Sequence, residues 1–99
     1  MYKIAATLLF TLLLAACSGN DKEIDPNLTE AELYQKANSN MQDGRYDKSV
    51  EYYQALEARY PFGSYSDQAQ LNVIYANYES GEHEAAGAAA DRFVRLHPQ

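Results

Sequence analysis

The sequence predicts an all-α fold built from two copies of a helical hairpin, an α-solenoid with two repeats. Two short motifs recur at one constant spacing, since Gly44 and Gly81 lie 37 residues apart and so do Pro61 and Pro98. Apolar residues follow the three-to-four-residue spacing of helices, and strand signals are missing. A fixed period between about 20 and 50 residues is typical of repeat arrays, in which each repeat is one supersecondary unit.

The amino terminus resembles a bacterial lipoprotein signal. Lys3 precedes an apolar run from Ile4 to Leu14, and Ala15-Ala16-Cys17 follows. The run is shorter than the roughly 20 residues that cross a bilayer, and this order of charged, apolar and small residues is typical of a secretory signal. We expect residues 1–16 to be a cleaved signal peptide and Cys17 to carry lipid. The alternative is an ordinary secretory signal with an incidental cysteine.

The stretch from Ser18 to Asn27 is polar and contains Gly19 and Pro26. Such a composition favours a flexible chain, so we interpret residues 17–27 as a lipidated tether. By the enteric-type sorting rule, a residue other than aspartate after the lipidated cysteine implies the outer membrane. The lipid would then hold the protein on the periplasmic side of that membrane.

The composition excludes several function classes. The formal net charge is −6, whereas nucleic-acid binding depends on Lys and Arg that neutralise phosphates. His83 and His97 have no Cys or His neighbours at ligand spacing, so we expect no metal site. The chain has no recognisable nucleophile motif and no glycine-rich phosphate loop. We therefore expect neither a cofactor nor enzymatic activity.

The first repeat is predicted at residues 28–63, and it opens with a helix from Glu30 to Asp43. Thr29 and Glu32 fit a capping box, in which each side chain accepts from the backbone N–H of the other residue. Gly44 suits the left-handed position that follows many helices. The apolar positions of this helix are Leu33, Ala37 and Met41.

A second helix, from about Asp47 to Arg59, completes the first repeat. Pro61 ends it, because proline has no N–H and clashes with the preceding turn. The residues expected on its inner face are Val50, Tyr53, Leu56 and Tyr60. Together with the first helix, it predicts an antiparallel hairpin.

The second repeat is predicted at residues 64–99. Ser66 would cap a helix that runs to Ser80, Gly81 would stop it, and a last helix would run from Glu84 to Leu96. Its many alanines allow close approach of the paired helices. The apolar positions are Val73, Ile74, Tyr78, Ala86, Ala89, Ala90, Phe93 and Leu96.

Aligned on Gly44, this spacing resembles the tetratricopeptide repeat. In the first unit the positions that match that motif are Ala37, Tyr46, Tyr53 and Pro61, whereas Asn40, Ser49 and Leu56 depart from it. In the second unit Gly81, Ala86 and Pro98 match, whereas Ile74, His83, Ala90 and Phe93 depart. The resemblance implies tetratricopeptide-like hairpins, with a concave groove lined by the first helix of each pair.

The segment from Arg59 to Leu71, RYPFGSYSDQAQL, is more distinctive than the repeat pattern. With Asp91 to Pro98, DRFVRLHP, it resembles the BamD (ComL) family of lipoproteins in the outer-membrane β-barrel assembly machinery. That family has about five repeats, so we expect this chain to be an N-terminal portion of a longer protein. The implied partners are the central barrel protein BamA, other lipoproteins of the complex, and unfolded outer-membrane proteins.

The resemblance implies a function in inserting outer-membrane proteins by binding their aromatic C-terminal segments. Tyrosine suits such a ligand, because it combines a large apolar face with a hydrogen-bonding tip. The alternative for the connector is purely structural, with Pro61 ending a helix and Gly63 supplying a turn. The candidate peptide-binding residues are Tyr60, Phe62, Gly63 and Tyr65 in the connector, and Tyr34 and Tyr75 on the first helices.

Two other function classes stay open at this point. One is a scaffold lipoprotein of another envelope assembly, similar to a pilotin. The other is a peptidoglycan-associated enzyme whose catalytic part would lie beyond Gln99. Sequence downstream of Gln99 would discriminate between them.

Overall fold

Four helices follow one another in the computed structural model, which describes residues 23–98. They are α1 (Glu30–Gln42), α2 (Tyr46–Arg59), α3 (Ser66–Glu79) and α4 (His83–Leu96). No strand occurs within residues 23–98, and no helix of that range is long and apolar enough to cross a membrane. The all-α prediction is confirmed. The predicted signal peptide, Cys17 and part of the tether lie outside the described residues.

The capping box predicted at the start of α1 is present. The Thr29 hydroxyl accepts from the Glu32 N–H at 3.2 Å, and the Glu32 carboxylate accepts from the Thr29 N–H at 3.1 Å. Both donors would otherwise lack a partner, since the first turn of a helix has no preceding carbonyls. This pair sets where the first hairpin begins.

Both hairpin turns are built in the same way. Gly44 and Gly81 have φ of 75° and 85°, a left-handed conformation that costs other residues roughly 1–2 kcal/mol. The N–H of Gly44 donates to the Met41 carbonyl and that of the next residue, Arg45, to the Asn40 carbonyl. The corresponding bonds join Gly81 to Tyr78 and Glu82 to Asn77. Both turns are Schellman motifs. Because they share the same hydrogen bonds and glycine conformation, the repeat seen in the sequence is also a structural repeat.

The core lies where α1, α2 and α3 meet. Each helix contacts the next one along the chain, and side chains from the first three form one buried cluster. Leu96, predicted as an inward position, is instead 60% exposed, because it lies on a face of α4 that no other described element covers. The buried cluster consists of Leu28, Leu33, Ala37, Tyr53, Leu56, Ala69 and Val73.

The connector between the repeats differs from the prediction at Ser66. Ser66 is the first residue of α3 rather than its cap, and it is buried. The cap position belongs to Tyr65, whose backbone is already near-helical. Its N–H donates to the Glu30 carboxylate at 2.7 Å, so a side chain of α1 holds the residue that precedes α3. No side-chain hydrogen bond caps α3 within the described residues.

Candidate functional site

The first helices of the two repeats line a hollow of about 470 Å³, which we call the concave groove. α1 and α3 form its walls, and α2 contributes two tyrosines to it. None of its lining residues is charged. They are Asn38, Met41, Gln42, Tyr46, Tyr53, Asn72 and Tyr75.

A chain of hydrogen bonds runs across the concave groove. Gln68 donates to the Asn72 side-chain oxygen at 2.9 Å, and Asn72 donates to the Tyr53 hydroxyl at 3.0 Å. The Tyr53 hydroxyl in turn donates to the Asn38 side-chain oxygen. The side chain of Tyr53 therefore links α1, α2 and α3. Its ring packs in the core, and its oxygen lies at the groove.

Tyr53 is held in its neutral form by this placement. Burial raises the pKa of the Tyr53 phenol, and the hydrogen bond from Asn72 opposes that rise only in part. Removing a group from water disfavours its charged state. The neutral phenol carries a proton and the Asn38 side-chain oxygen can only accept, so the Tyr53 hydroxyl is the donor in the hydrogen bond between them.

Stacked aromatic rings extend the concave groove toward the connector. The Tyr34 ring meets the Tyr53 ring edge-on at 6.0 Å between centroids, and it stacks on the Tyr65 ring at 4.6 Å. Tyr65 is 37% exposed and Tyr75 is 52% exposed. The structure thus brings three of the sequence-predicted site residues, Tyr34, Tyr65 and Tyr75, to one surface.

Two other predicted site residues make structural contacts in the connector. The Tyr60 hydroxyl donates to the Leu28 carbonyl at 3.2 Å, and its ring packs against the core. Gly63 lies so close to Glu30 that an added Cβ would come within 1.7 Å of the carboxylate. Glycine at this position therefore leaves room for the contact between Glu30 and the N–H of Tyr65.

Phe62 lies apart from the groove tyrosines. It is fully exposed, and it borders a second hollow on the outer side, with Glu57 of α2 and Arg92 of α4. The Arg92 guanidinium lies 3.6 Å from the Glu57 carboxylate, and burial raises the pKa of Glu57 although Arg92 opposes the rise. The structure therefore does not unite Phe62 with Tyr34, Tyr65 and Tyr75.

A third, apolar hollow lies between α3 and α4, and its lining residues correspond to core positions of the first repeat. Ile74, Ala86 and Ala90 line it, 37 residues after Ala37, Ser49 and Tyr53. The earlier three are fully buried beside α3. The apolar hollow is therefore the second repeat's counterpart of the surface on which α3 packs in the first.

Sequence reasoning missed Asn72 as a site residue and placed Tyr53 only in the core. The spacing of Gln68 and Asn72, four residues apart on one helical face, was the available signal. Their partner on α2 could not be identified, because it depends on how the two hairpins pack.

Comparisons with known proteins agree with this geometry. A family model described as tetratricopeptide repeat matches residues 21–99. The outer membrane protein assembly factor BamD of Vibrio cholerae serotype O1 is 37% identical over 97 residues, which cover 98% of this chain. The protein of the same name from Neisseria meningitidis serogroup B is 36% identical over 104 residues and covers all of it. That from Pasteurella multocida is 37% identical over 90 residues, or 91% of this chain.

These relatives are much longer than the chain. It spans 40% of the Vibrio protein, 39% of the Neisseria protein and 34% of the Pasteurella protein. The family model, in contrast, matches most of the chain, and the two hairpins share their turn geometry and their 37-residue spacing. The chain belongs to the tetratricopeptide repeat family.

Proposed function

We propose that the protein is an assembly factor for outer-membrane proteins, and that its concave groove binds their aromatic C-terminal segments. The similarity to proteins named as such factors supports the first part. The observation that carries the second part is the groove itself, in which Tyr75 lies beside the hydrogen-bonded Asn38, Tyr53 and Asn72. The stacked rings of Tyr34 and Tyr65 extend this surface from Tyr53. Exposed aromatic rings beside hydrogen-bonding side chains suit an extended peptide.

The proposed location is the periplasmic side of the outer membrane, reached through lipid on Cys17. A stable anchor needs two or more acyl chains. The resemblance to bacterial lipoprotein signals implies three acyl chains on this protein. BamA and the other lipoproteins of the assembly complex are the proposed protein partners. In this proposal the protein acts by binding rather than by catalysis.

In this proposal, some residues of the connector contact the ligand and others hold the connector in position. Tyr65 contributes its ring to the groove, and Tyr60 and Gly63 hold the connector in position through Leu28 and Glu30. Phe62 is a contact on the outer side, suited to a part of the client or partner that does not enter the groove. Its full exposure supports this assignment, because a buried aromatic would have a packing role.

Peptide binding by matched tyrosine variants tests the groove. Tyr75 and Tyr78 lie on α3 with similar exposure, but only Tyr75 lines the concave groove. We expect Tyr75→Ala to weaken binding of an outer-membrane-protein C-terminal peptide about tenfold, as central aromatic contacts do, and Tyr78→Ala to leave it within about twofold. Fluorescence anisotropy with a labelled peptide measures both. Equal affinities for the two folded variants would contradict the groove assignment and favour a scaffold role.

A further inference from the structure

We infer that the concave groove recognises the main chain and aromatic side chains of an extended, uncharged segment, and that a free terminal carboxylate adds nothing to binding. This inference rests on the proposed function and narrows the ligand to segments that are bound without help from a terminal carboxylate. A client segment would then bind equally well when more chain follows it.

Within residues 23–98, no positive charge faces a carboxylate in the groove. None of its lining residues is basic. Arg45 and Lys48 line a separate hollow that shares Tyr46 with the groove. Arg45 is paired with Asp43 at 2.9 Å and Lys48 with Glu51 at 3.2 Å.

The other basic side chains of the described range are also accounted for. Arg59 donates to the Ile24 and Asp25 carbonyls, and Arg92 faces Glu57. Lys36 lines a hollow with Glu32. The remaining one, Arg95, is exposed in the last turn of α4, a helix that contributes nothing to the groove lining. A carboxylate that entered the groove would therefore lose its hydration without gaining a charged partner, which is unfavourable. The terminus of a bound segment would stay in water instead, where it neither adds to binding nor weakens it.

The groove does offer neutral N–H donors. The Asn38 side-chain nitrogen makes no hydrogen bond within the described residues, although its oxygen accepts from Tyr53. Asn72 donates one of its two N–H groups to Tyr53, and the other makes no hydrogen bond within residues 23–98. Carbonyl oxygens of an extended peptide are neutral acceptors that recur along the chain, so they match donors of this kind whatever the client's sequence.

The test compares two forms of one peptide on the full chain. The probe has about ten residues, the length of one membrane-spanning strand, with tyrosine or phenylalanine at alternate positions and no charged side chain. It is made as the free acid and as the C-terminal amide, and anisotropy gives both dissociation constants. We expect the two to agree within about twofold, because a carboxylate paired with a cation would change affinity by about tenfold or more.

The two results that would contradict the expectation have different consequences. If the free acid binds about tenfold tighter, the inference is overturned while the groove remains the binding site. If neither form binds, the proposed function fails as well.

Variants of the groove amides test the role of the donors. Asn72→Ala should weaken both peptide forms to the same extent, whereas the control Gln35→Ala, on the exposed face of α1, should weaken neither. Circular dichroism establishes that each variant is folded, and Asn38→Ala provides an independent variant on another helix. Unchanged affinity in both folded asparagine variants would overturn the assignment of main-chain recognition.

Discussion

Replacing Tyr53 by phenylalanine isolates the polar link between the helices from the packing of the core. The ring of Tyr53 is fully buried and would keep its contacts. The hydroxyl would be lost, and with it one hydrogen bond from Asn72 and one to Asn38. Tyr53→Phe therefore changes polar contacts on α1 and α3 without creating a large cavity.

The expected loss follows from those two bonds. Each ordinary hydrogen bond contributes about 1 kcal/mol net, and the groove is open enough for water to solvate the freed amides in part. We expect the free energy of unfolding to fall by about 1–2 kcal/mol. For a domain of this size, that corresponds to a melting temperature lower by roughly 4–16 °C.

Tyr52 provides a matched control for Tyr53. It is the neighbouring residue of α2, its ring packs partly against the core, and its hydroxyl makes no hydrogen bond within residues 23–98. Tyr52→Phe should change stability by less than about 0.5 kcal/mol. Urea unfolding followed by circular dichroism measures both variants. Equal stability of Tyr53→Phe and Tyr52→Phe would refute the view that the phenol joins the hairpins.

Three further predictions concern the turn, the end of α4 and the anchor. Gly44→Ala should lower the free energy of unfolding by about 1–2 kcal/mol through the strain of its left-handed backbone, and crowding adds nothing, because open space surrounds the added methyl. Gly87→Ala is the control in urea unfolding: it adds a methyl in equally open space at a helical position where alanine is favourable, so it should not destabilise the protein. The Phe93 carbonyl, and after it the Asp67 carboxylate, raises the pKa of His97, because both interactions favour the protonated ring. Protonated His97 should therefore stabilise the fold fully below the unfolded-state pKa of about 6.5. This contribution should be lost as the pH rises through the folded-state pKa. Urea unfolding across that range should show the decrease in the natural chain and not in His97→Gln; a decrease of the same size in both would contradict the assignment. Cys17→Ser should move the protein from the membrane to the soluble fraction, and acyl labelling that persists in that variant would rule out Cys17 as the lipid site.

The local signals in the sequence were sufficient to predict the helices and their ends. Thr29 and Glu32 form a capping box with partners three residues apart, and Gly44 and Gly81 end their helices through the turn that immediately follows. The helix bounds agree with the predicted ones to within one residue, since these interactions involve chain neighbours. Ser66 was the exception, because Tyr65 takes the cap position and its N–H is bound by Glu30 of another helix.

The site was less predictable, because it depends on contacts between hairpins. Phe62 and Tyr65 are three residues apart in a connector without regular periodicity, so nothing local indicated that one would lie on the outer side and the other against Tyr34. Tyr53 was correctly placed in the core. The position of its hydroxyl, between Asn38 and Asn72, follows only from the packing of α2 between α1 and α3.

By itself, the sequence determined that this protein is a repeated helical hairpin, since period, caps and glycine turns are properties of short segments. The tertiary structure decided which tyrosines share a surface and which amides meet across it. Side chains from different hairpins acquire their neighbours only when the hairpins pack, and the concave groove forms at that step.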